Sequence, residues 1–139
     1  MAARGVDAGG SLDRGPRRPR GWLGKFADAF RGVAVAVRGH VSFAAHLPAA
    51  AAAVALGACL GLDAGEWCLV ALAIGGVLGA EAFNTAIEEL AKAVGTYPDD
   101  GIRDALDVAS GGVLVAVTTA VVVGLVLFVP KLLALAGWS

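Results

Sequence analysis

Charge is what this chain has least of. Asp, Glu, Lys and Arg make up 17% of its 139 residues, against 58% hydrophobic. A water-soluble domain ordinarily carries about a quarter charged residues. Cysteine is scarce too. Cys59 and Cys68 are the only two, which excludes a densely disulfide-stapled scaffold. They leave at most one bridge, and the simpler reading is two small apolar residues in helices. No GxxxxGK occurs, so any nucleotide site is not a P-loop. The arginines near the start are not interleaved with aromatics and sit on no recognised nucleic-acid fold, so nucleic acid is not an expected partner. No internal repeat is present.

What the chain does have is long apolar runs. Residues 41–62 and 108–130 hold almost no charge. A helix needs about 20 apolar residues to cross a hydrocarbon core of about 30 Å, and both runs meet that length. A third run, 67–80, is too short alone and spans only if its helix continues through Glu81 to about residue 94. The expected fold is an all-α membrane protein with three transmembrane helices at about 41–62, 67–94 and 102–129.

Two further segments precede the spans. Residues 1–21 are rich in Gly, Arg and Pro and are expected to form a disordered basic tail. From 22 to 39 the apolar residues Trp22, Leu23, Phe26, Phe30, Val33 and Val37 recur at helical spacing, with Lys25, Arg31 and Arg38 between them. That is an amphipathic helix suited to the membrane surface. The folded unit is thus expected over 22–135. Residues 1–40 carry eight basic and three acidic side chains, while the loop after the first span has Asp63 and Glu66 and no base. This asymmetry predicts a cytoplasmic N-terminus, with Lys131 slightly opposed. Gly57 with Gly61, and Gly75 with Gly79, are small-xxx-small pairs that would let helices approach closely. Residues 95–101, rich in Gly, Pro and Asp, read as a turn, and the last helix is expected to end by Pro130.

The feature that asks for a function is a set of polar residues at the end of the second span. Glu81, Asn84, Thr85 and Glu88 stand at i, i+3, i+4 and i+7, on one helical face, whereas Glu89 points elsewhere. Glu81 lies 14 residues beyond Trp67, about 21 Å along a helix, still near the hydrocarbon edge. An ionisable group at that depth is costly and marks a site. After the turn, Arg103, Asp104, Asp107 and Ser110 open the next helix, so the two polar faces can meet. Carboxylates gathered there can hold a hard cation such as Mg²⁺ and leave one as a base.

EAFNTAIE at 81–88, followed by ALDVASGGVLVA at 105–116, resembles the prokaryotic diacylglycerol kinase and undecaprenol kinase family. AFRG at 29–32 and His46-Leu47 match its N-terminal half. The resemblance implies a homotrimeric lipid kinase of the bacterial plasma membrane, with active sites between subunits at the cytoplasmic boundary. The implied reaction moves the γ-phosphate of MgATP to the hydroxyl of diacylglycerol or undecaprenol. By resemblance Glu81 is the catalytic base, Glu88 a Mg²⁺ ligand that also meets the nucleotide, and Asp107 a nucleotide contact. Asn84 and Ser110 fall on substrate-binding positions. The chain departs from the family at His40, where a metal-binding Glu is usual, at Ala44 for Arg, at Lys92 for Asp and at Leu106 for Lys. Imidazole is a poor Mg²⁺ ligand. The expectation is an active enzyme in which Arg103 or Lys92 replaces the charge missing at Leu106. The alternatives are a catalytically impaired member kept as a lipid-binding or assembly protein, and an unrelated transporter or channel subunit.

Overall fold

The computed structural model describes residues 21–39, 41–95 and 99–138. They form four helices: α1 (Trp22–Gly39), α2 (Val41–Leu60), α3 (Ala64–Val94) and α4 (Asp100–Leu135). Three of these, over Ser42–Leu60, Ala64–Val94 and Asp100–Leu135, are long and apolar enough to cross a membrane. Residues 1–20 of the tail expected over 1–21, His40, and residues 96–98 of the expected turn lie outside the described residues.

Each boundary has a local cause. α2 is a run of alanines, the best helix former. It stops at Gly61, whose φ of 64° is a left-handed conformation that costs glycine no Cβ clash. α3 begins with a reciprocal cap. The Asp63 side chain accepts from the Glu66 N–H at 2.9 Å, and the Glu66 carboxylate accepts from the Asp63 N–H at 2.8 Å. This capping box starts α3 three residues before the expected Trp67. Gly95, with φ 68°, ends it, and Asp99 caps α4 by accepting from the Ile102 N–H at 3.1 Å. α4 is dense in valine, a weak helix former in water. In lipid, helix is the way a lone segment satisfies its own backbone.

α4 also corrects the expected end at Pro130, since it continues to Leu135 with the proline inside. A proline removes one helical N–H, but breaking the helix in an apolar setting would strand several more groups. The end comes instead at Gly137, at φ 79°, where the Trp138 N–H reaches the Leu133 carbonyl at 3.0 Å. Gly57 and Gly61 are not a helix-packing pair either. Gly61 makes the turn, and Gly57 is overlaid by the Trp67 ring, which a Cβ there would meet at 3.1 Å. Gly57→Ala is therefore expected to lower stability by about 1–3 kcal/mol through overpacking, read as a drop in melting temperature of the detergent-solubilised protein. Cys59 and Cys68 are free thiols.

α3 and α4 pack as an antiparallel pair, α2 lies against both, and α1 touches α2 and α3. A small core of Leu62, Val70 and Leu127, backed by Trp67, Ile74 and Phe128, fills the end near the α2–α3 turn. There Lys131 of α4 meets Glu66 of α3 at 3.0 Å. Elsewhere most large apolar side chains stay uncovered, including Leu72, Leu114, Val115 and Val126. Helices that leave such a surface open are built to be covered by lipid or by other protein.

Candidate active site

Among the described residues, the buried ones that are not apolar are Glu81, Asn84 and Thr85, at 3%, 7% and 4% exposure. All three sit on α3, on the face that the i, i+3, i+4 spacing defined. Asn84 is the hub. Its amide nitrogen donates to Glu88 Oε1 at 2.8 Å, and its oxygen lies 3.5 Å from Ser110 Oγ across the helix pair. The single Ser110 hydroxyl proton goes to the Leu106 carbonyl at 2.9 Å, which leaves the approach to Asn84 a weak polar contact. The polar faces of α3 and α4 therefore do meet, through Asn84 and Ser110. Asp104 and Asp107 are exposed on α4.

Glu81 does not join that chain of bonds. Its neighbour is His46 of α2, whose Nε2 stands 3.8 Å from Glu81 Oε2. In the sequence His46 matches the family pattern without an implied role. The signal that could have marked it was a lone histidine inside an apolar span. Thr85, one turn on from Glu81, has a buried hydroxyl with no hydrogen-bond partner among the described residues. Ser110, Thr118 and Thr119 by contrast donate back to the carbonyl four residues earlier.

Two hollows flank this polar set. The first is an apolar groove of about 220 Å³ between α2, α3 and α4, lined among others by Ala49, Ala53, Val77, Val121 and Gly124, with His46 as its one polar lining residue. The second, about 290 Å³, is lined by Glu88, Ala91, Lys92, Leu106 and Ser110. Lys92 and Leu106 thus face one space. Lys92 is bonded to Glu89 at 2.7 Å and is 63% exposed. Arg103 does not line this hollow. It is paired with Asp100 in the first turn of α4. Both are exposed i,i+3 pairs, which contribute little to stability and exchange readily for another anion. Among the described residues, no three His, Cys, Asp or Glu side chains converge to hold a metal ion.

Membrane-length apolar helices that bury a carboxylate beside the histidine of an apolar groove, with a polar hollow further along α3, define a polytopic membrane protein with its candidate site on the polar face of α3. The chain belongs to the prokaryotic diacylglycerol kinase family, which it matches over residues 27–128. It is 34% identical over 107 residues to the undecaprenol kinase of Bacillus subtilis (strain 168), covering 77% of this chain and 87% of that one. No solved structure matches it significantly. The chain is accordingly a membrane protein of a lipid-kinase family.

Proposed function

We propose that the protein transfers the γ-phosphate of MgATP to the hydroxyl of a membrane lipid, with Glu81 as general base. The observation that carries this reading is the placement of Glu81. It is a carboxylate 3% exposed, next to the one polar residue of an apolar groove and one to two turns from a polar hollow beside Glu88. A lipid can lay its chain in the groove and bring its hydroxyl to Glu81 without lifting the chain into water. The polyphosphate approaches from the other side.

In this reading Glu81 takes the hydroxyl proton as the oxygen attacks the γ-phosphorus, and the bond to the β–γ bridging oxygen breaks to release ADP. Asn84 and Ser110 position the substrates between the helices. Glu88 and Asp107 face the nucleotide, and Lys92 supplies the charge that Leu106 lacks. Mg²⁺ is commonly held by one or two carboxylates plus substrate phosphates. Glu88, an oxygen donor at the edge of the hollow, fits that mode, with His40 as a second candidate outside the described residues. Bound there, the ion would neutralise charge on the phosphates. Phosphoryl transfer depends mainly on positioning and charge, so this short inventory suffices.

The same reading places the enzyme in the bacterial plasma membrane with its N-terminus in the cytoplasm. Lys131, the base that weighs against this orientation, is paired with Glu66, which blunts its charge. Surface binding by α1 is supported by the exposure of Trp22, Leu23, Phe26 and Phe30. The uncovered apolar face of α4 is suited to burial between the subunits of a homotrimer.

The test is direct. Purified protein in liposomes is given γ-labelled ATP with Mg²⁺, and undecaprenol or diacylglycerol in turn. Undecaprenol comes first because the Bacillus relative bears that name. Labelled lipid phosphate is expected. No labelled lipid with either alcohol would overturn the reading in favour of a catalytically impaired lipid-binding protein.

A further inference from the structure

A buried general base needs an orienting partner. A carboxylate has two equivalent oxygens and turns freely about its last bond. It works best when one oxygen is held and the other faces the proton to be taken. On α3 that partner is missing for Glu81. Asn84 turns its amide group to Glu88 and Ser110, and no hydrogen bond from α3 to Glu81 is present among the described residues. The partner within reach comes from another helix, as His46 Nε2, 3.8 Å from Glu81 Oε2. His46 is 21% exposed against 3% for Glu81, so it stands between the buried carboxylate and the open groove. It is also the single polar residue on the groove wall.

We propose that His46 is the positioning residue of Glu81. Its Nε2–H holds one carboxylate oxygen and leaves the other for the lipid hydroxyl at the mouth of the groove. The gap must shorten by under 1 Å to become a hydrogen bond, a change of the kind seen when catalytic contacts tighten on substrate binding. Through this contact α2, which carries much of the groove wall, also sets the aim of the base on α3. The proposal rests on the lipid-kinase reading above.

The test compares three full-length variants in liposomes. His46→Gln places an amide nitrogen at a reach similar to Nε2. His46→Asn carries the same group one bond short. His46→Leu keeps bulk and removes the donor. Loss of an orienting partner costs on the order of 10- to 100-fold in activity. That loss is expected in kcat for the Leu and Asn variants, with KM for ATP within about twofold of wild type, and His46→Gln should recover most of the rate. In a Glu81→Gln background, His46→Leu should add almost nothing, because the group it orients is gone. Equal rates for the Gln and Asn variants would overturn the proposal, since shape alone would then explain His46. So would an unchanged kcat in His46→Leu, or a full further loss in the double variant. Lipid phosphorylation by wild type separates the two readings. If it is present while these patterns fail, the positioning role alone falls. If it is absent, both fall.

Discussion

Glu81→Gln is expected to lower kcat for lipid phosphorylation by on the order of 10²- to 10⁴-fold, the usual contribution of a positioned general acid or base. The substitution keeps shape, removes the charge and the ability to take a proton, and replaces one acceptor oxygen by an amide NH2. Glu81 is 3% exposed, and an uncharged amide is less costly to bury than a carboxylate. The variant should therefore fold at least as well as wild type, so an activity loss cannot be blamed on unfolding. KM for ATP should stay within about twofold, because Glu81 is set apart from the hollow lined by Glu88 and Lys92. Steady-state kinetics with ATP varied at saturating lipid, beside a thermal melt, checks all three points. A variant with full kcat would remove Glu81 from the chemistry.

The second large effect concerns Lys92. Lys92→Ala should raise KM for ATP about tenfold, which corresponds to about 1.4 kcal/mol. Adding Leu106→Lys to that variant should restore most of the affinity. Lys92 and Leu106 line the same hollow from opposite helices, so an ammonium mounted on either can enter it. A lysine meets phosphate as a point charge on a flexible stem, and its exact mounting point matters less than its reach. The bond to Glu89 at 2.7 Å is an exposed pair that phosphate can displace. Arg103→Ala is the control. Its partner is Asp100 and it does not line the hollow, so KM should change by less than about twofold. An Arg103→Ala effect larger than that of Lys92→Ala would reverse the assignment.

Much of this was legible in the sequence because helical periodicity is local. Glu81, Asn84 and Thr85 fall on one buried face, as their spacing required, and Glu89 turns away to Lys92. The three membrane-length helices follow from apolar length alone. The parts that were not legible depend on what surrounds a residue. Pro130 signals a helix end in water, but a backbone in lipid has nowhere else to bond. Gly61 belongs to a small-residue pattern, yet it serves the turn, because Gly57 is taken up by Trp67. That Lys92 shares a hollow with Leu106 and Arg103 does not emerges only once the two helices are packed together. His46 lies 35 positions before Glu81, and no periodicity links them. Only the laying of α2 across α3 brings the imidazole to the carboxylate.

Two polar contacts bridge the α3–α4 pair, the Glu66–Lys131 ion pair at 3.0 Å at one end and the longer, weaker approach of Ser110 to Asn84 at 3.5 Å further along. Along α3 they are 18 residues apart, about 27 Å at 1.5 Å per residue, close to the hydrocarbon thickness of a bilayer. The pair acts as a strut, since slipping by a helical turn would break the Glu66–Lys131 pair. A membrane that thickens or thins around it cannot stretch the protein to match. The lipid must deform beside the strut, or the strut must tilt. Tilting would carry Glu81 to a different depth.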